Sequence, residues 1–171
     1  MLVRMERSVF ESLESPALGQ ACVAPFIAQI RGQDVAIKSQ VYSQLGPGQR
    51  ALLMFWVFFG HARPGVRHFY AAIAYLLPHV DLWAAIKAGL GFFQDHAMLE
   101  LVREIEAHYH VLAACRPTES HWYTVDSEVA PDLLAVENEL DAKLQMIAPA
   151  TMERIGRYIR SNPSQFVELV D

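Results

Sequence analysis

The chain has 171 residues, of which 53% are hydrophobic and 19% charged, with a formal net charge of −5. That length fits one domain able to bury on the order of 70% of the surface its unfolded form exposes, and the mild acidity excludes the basic surface on which nucleic-acid affinity depends. Two cysteines, Cys22 and Cys115, stand far apart with no CxxC pair, which excludes a disulfide framework and a cysteine-rich zinc site and fits a reduced cytosolic protein.

At the start of the chain Arg4, Glu6, Arg7, Glu11 and Glu14 interrupt any apolar run, so no signal-peptide core is expected there. Helical patterns then follow one another between Gly and Pro breaks. They predict helices near 3–14, 18–30, 34–45, 48–61, 65–77, 80–89, 95–112, 131–147 and 150–161, with no strand series. The expectation is an all-α fold, a single-domain bundle of eight or nine helices over residues 1–171. Asp34, Asp81 and Asp95 each precede a helical pattern as N-caps. The run from Ala51 to Phe59 is the most apolar, but nine residues cannot cross a bilayer, and the 71–93 stretch is broken by Pro78, His79, Asp81 and Lys87. Both read as buried helices, with no membrane contact. Phe55, Trp56, Phe58, Phe59, Phe69, Tyr70 and Tyr75 lie among aliphatics without interleaved Lys or Arg, as core aromatics do. The apolar surplus over an average soluble domain suggests burial between subunits in a homodimer.

From Asp95 onward Met98, Leu101, Val102, Ile105, Tyr109 and Leu112 form one helical stripe, with Glu100, Arg103 and Glu104 turned away from it. Residues 113–130 form the longest irregular stretch, of the length that often carries function. Pro149 suits the first turn of a last helix, which Asn162 and Pro163 stop, leaving Phe166 to fold back onto the core.

Chemistry-bearing patterns are sparse. Glu100, Glu104 and His108 share a helix face, yet no ExxH pair stands elsewhere to complete a di-metal bundle site, so an ion-pairing stripe is the simpler reading and no cofactor is expected. Cys115 and His121 match a nucleophile and base in residue type alone. Gly89, Leu90 and Gly91 lack the lysine and strand of a phosphate loop and suit a helix end instead. His61 and His68 bracket the turn at Arg63, Pro64 and Gly65, where a pocket is conceivable.

Charge is uneven: residues 1–50 carry +1, 51–93 carry +2 and 94–171 carry −8. Acids four apart on a helix lie about 6 Å apart along its axis, a spacing comparable with phosphates along a DNA strand. Rows of this kind would repel nucleic acid and attract basic surfaces.

The closing pattern, Arg157 Tyr158 Ile159 Arg160 Ser161 Asn162 Pro163 Ser164 Gln165 Phe166, preceded by an acidic helix around Leu140 and Asp141, resembles the end of small bacterial helical proteins related to the DNA-mimic protein family. That family also carries an Asn-Gly-Gly turn before an aromatic-rich helix, for which Arg63 Pro64 Gly65 Val66 Arg67 His68 Phe69 Tyr70 is the counterpart, matching in the second glycine and the aromatics. The resemblance implies an all-α fold, a dimer and no known enzymatic activity. A DNA-mimic member uses its acidic surface to occupy a transcriptional regulator. The expectation drawn is therefore a protein-interaction module that presents Glu100, Glu104, Glu106, Glu137, Glu139 and Asp141 to a basic, DNA-binding partner without touching nucleic acid itself. Neutral amides at these positions would then weaken the complex and leave the fold intact. The alternative is a small-molecule or metal-dependent enzyme with its pocket near His61, His68 and the 113–130 loop.

Overall fold

The breaks resolve into eight helices and one small sheet within residues 2–115 and 130–171, which the computed structural model describes. In chain order these are β1 (Val3–Glu6), α1 (Arg7–Ser12), α2 (Ser15–Ile30), α3 (Val35–Gln44), α4 (Pro47–Ala62), α5 (Val66–Ile73), α6 (Leu82–Phe92), α7 (His96–Cys115), α8 (Pro131–Ser161), a 3-10 turn at Pro163–Gln165 and β2 (Val167–Val170). The fold is mainly all-α, one compact unit around one hydrophobic core.

The acids predicted to start helices do so. Asp34 accepts from the Ile37 amide at 2.8 Å, Asp81 from Ala84 at 2.9 Å and Asp95 from Met98 at 3.1 Å, each satisfying an amide that the helix leaves free. Gln49 reaches back to the Gly46 amide at 3.0 Å and opens α4 in the same way. α4 is the hub. It is apolar nearly all round, burying Ala51, Leu52, Leu53, Phe55, Phe58 and Phe59, because α2, α5 and α6 cover it from different sides. A Cβ on Gly89 would stand 3.1 Å from the Ala51 backbone, so α6 crosses α4 at close range where glycine leaves room.

Three expectations are corrected. The region read as a helix over 3–14 begins with a strand, and β1 pairs in parallel with β2, Val3 opposite Val167 and Glu6 opposite Val170. Four residues of alternation are too few to stand out, and each strand is stabilised by a partner at the other end of the chain. Second, 131–147 and 150–161 are a single helix, α8, which runs through Pro149. Pro149 is exposed, while Leu140, Leu144, Ala148, Thr151, Ile155 and Ile159 are buried along one side, so packing on α2 and α7 outweighs the roughly 3 kcal/mol that an interior proline costs. Third, the helix predicted to reach 77 ends at Ile73, and residues 74–79 form successive turns.

The closing motif accounts for itself structurally. Tyr158 packs edge-on against Phe92, Phe93 and Phe166, and Ile159 is fully buried. Arg160 donates to the Phe10 carbonyl at 3.1 Å and to that of Leu13, fastening the end of α8 to the α1–α2 junction. The Asn162 side chain donates to the Tyr158 carbonyl at 2.9 Å, occupying an acceptor the helix end leaves open. Phe166 folds back as expected and is 1% exposed, seated where a Cβ on Gly48 would come within 2.8 Å of its ring.

Candidate functional site

Two regions hold the residues singled out by the sequence, the α7–α8 seam and the neighbourhood of His61. At the seam the six acids fall into two groups. Glu100, Glu104 and Glu139 are exposed, with side-chain accessibilities of 63%, 49% and 67%. Glu100 pairs with Arg103, and Lys143 lies between Glu104 at 2.7 Å and Glu139 at 3.0 Å. Those two carboxylates, as hydrogen-bond acceptors, hold the Lys143 ammonium above its usual range. Glu106 is less exposed and bonds Lys87 at 2.6 Å.

Glu137 and Asp141 face inward. Glu137, 4% exposed, takes the Arg67 guanidinium at 2.6 Å, and His108 Nε2 lies 3.5 Å from its other oxygen, outside hydrogen-bonding geometry. One turn on, Asp141 accepts from the Val66 amide at 2.7 Å and so caps α5 from a different helix. Gly65, just before, has φ of +145°, a conformation that favours glycine, and a Cβ there would be 3.3 Å from Asp141 Oδ2. The Pro-Gly turn and the acidic helix are thus two halves of one joint. Desolvation raises the Asp141 carboxyl above its usual range, opposed by the Val66 amide. The Tyr70 phenol, donating to the Ile105 carbonyl at 3.0 Å, is pushed up by burial and then by the charges of Glu137 and Asp141. Of the six acids, Glu137 differs in pairing with the half-buried Arg67, so its carboxylate serves the fold as well as the surface charge.

Among the described residues no group of three or more His, Cys, Asp and Glu side chains could hold a metal ion. Glu100 and Glu104 are engaged by cations, and His108 is buried against Glu137. Cys22 is a buried thiol whose pKa is pushed up to about 12 by desolvation, far from nucleophilic at neutral pH. His121 and most of the 113–130 loop lie outside the described residues. No described helix is long and apolar enough to cross a membrane.

The second region is a cavity of about 580 Å³, which the sequence reading touched only through His61. It exists because α3 stands away from the hub: of its ten residues only Val41 is buried, and the turns after α5 do not fill the gap. Its wall is apolar, formed by Ile30, Leu53, Met54, Val57, Ile73 and Leu82 among others. Lys38 donates to the Tyr75 hydroxyl and lies 4.7 Å from its ring centroid, and Tyr75, expected among the core aromatics, is 51% exposed. His61 lines the cavity and is held below its usual pKa by burial and by the Lys38 charge. His68 does not line it, being placed beside Gly65. The two histidines bracketing the turn therefore serve different places. A second cavity, of about 630 Å³, is lined by His79, Trp83, Tyr109 and His110 and shares Val80 and Asp81 with the first. The missed signal was the polar character of Lys38 and Tyr75, which lie 37 residues apart.

Comparison with protein-family models, with curated proteins and with solved structures finds no match for this chain.

Proposed function

We propose that this protein binds a small, mostly apolar molecule in the cavity bounded by α2 to α6. The observation that supports it is the cavity itself, about 580 Å³, within the range of small-molecule sites and lined by aliphatic and aromatic side chains with a few grouped polar ones. A neutral, polarity-sensitive dye such as N-phenyl-1-naphthylamine should brighten on saturable binding to the full chain. Replacing Ala85, which lines the cavity, by Phe should abolish that signal while the helical circular dichroism persists. Equal dye binding by both proteins would overturn the reading.

A second reading, the acidic interaction module related to DNA mimics, is favoured by the exposed trio Glu100, Glu104 and Glu139 across the α7–α8 seam. Its partner would be a basic DNA-binding protein, and the homodimer belongs to the same reading. Triple substitution to Gln at these three positions, which spares the inward-facing Glu137 and Asp141, should weaken a salt-sensitive complex; light scattering reads the oligomeric state.

A further inference from the structure

Resting on the cavity reading, we propose that the ligand is an amphiphilic monocarboxylic acid, its carboxylate held by Lys38 and Tyr75 and its apolar body lying along α4 and α6. Charge at the cavity is unbalanced. Arg31 and Lys38 line it, and neither has a carboxylate within ion-pairing distance among the described residues. The acid that lines the cavity, Asp81, is occupied by the Ala84 amide as the cap of α6. The wall thus carries two cations and one anion, and neither cation is in contact with a carboxylate among the described residues.

The donor geometry fits a carboxylate. Lys38 Nζ donates to the Tyr75 oxygen, which leaves the phenolic hydrogen free to donate onward and two more ammonium hydrogens beside it. An ammonium and a phenol side by side offer one donor to each carboxylate oxygen, the charge-assisted arrangement that outlasts a neutral hydrogen bond. Elsewhere on the wall Leu53, Met54, Ile73 and Leu82 offer no polar side-chain group, so the rest of the ligand is apolar. His61 is held below its usual pKa first by desolvation and second by the Lys38 charge, and a bound carboxylate would offset the second of these.

The test is displacement of N-phenyl-1-naphthylamine from the full chain by dodecanoate, dodecanol and dodecylamine, each below its micelle concentration. Dodecanoate should displace the dye at about tenfold lower concentration than dodecanol, with dodecylamine weakest. Lys38→Met and Tyr75→Phe should lose most of the preference for acid over alcohol, measured as the ratio of displacing concentrations in each variant. Equal displacement by acid and alcohol, or a preference unchanged in Lys38→Met, overturns the carboxylate assignment while the cavity stands. Dye binding that is absent, or undiminished in both Ala85→Phe and Ala72→Phe, overturns the cavity reading and the ligand class with it.

Discussion

A Cβ on Gly156 would stand 2.3 Å from Ser15 Cβ, the tightest of the glycine contacts, where α8 crosses the start of α2. Gly156→Ala should therefore force the two helices apart and cost about 1–3 kcal/mol, read as a lower urea midpoint with an unchanged slope. At His61 the sign of the pH effect follows from burial. The unfolded imidazole gains its proton near pH 6.5, while in the fold desolvation and then Lys38 disfavour the charged form. Below pH 6.5 the unfolded chain thus binds more protons, and stability falls as pH drops from there towards the lower folded value. Urea midpoints at pH 7.5 and 5.5 should show a larger loss for the wild type than for His61→Asn. Bound carboxylate should move the His61 titration upward in an NMR pH series.

Helix α8 shows what a local rule misses. Pro149 has no N–H to give the Gln145 carbonyl, and its exposure means that nothing packs on the ring strongly enough to demand it. Pro149→Ala should restore that hydrogen bond and stabilise the protein by up to about 3 kcal/mol, seen as a raised Tm. Glu137, on the same helix, behaves oppositely. Glu137→Gln removes the carboxylate charge that pairs with Arg67, 17% exposed, and should cost about 3 kcal/mol, whereas Glu139→Gln on the exposed face should change stability by less than about 0.5 kcal/mol. Denaturation of the two variants side by side separates joint from surface. The sequence groups both acids by charge, although residues two apart on a helix lie about 200° apart around its axis. Their difference arises because α5 brings Arg67 and the Val66 amide to one side of α8, a tertiary fact with no local signature. By contrast the caps at Asp34, Asp81 and Asp95 and the apolar stripe of α7 were legible, since each depends on residues within a turn or two. The cavity was not, because it results from α3 failing to close on α4.

At the scale of the whole molecule, the two strands lie side by side in parallel, Val3 beside Val167 and Glu6 beside Val170, and Val3 donates to the Phe166 carbonyl at 2.9 Å. Tension entering at Leu2 and leaving at Asp171 pulls β1 from its first residue and β2 from its last. Parallel strands drawn from opposite ends slide along one another, so their hydrogen bonds share the load instead of opening one by one. Pulling through Leu2 and Asp171 in a force spectrometer should therefore require more force than pulling through Leu2 and Pro131, which leaves β2 outside the loaded path. A helical protein of this kind would ordinarily yield softly, and the pairing of two four-residue strands is expected to raise the force at which this one gives way.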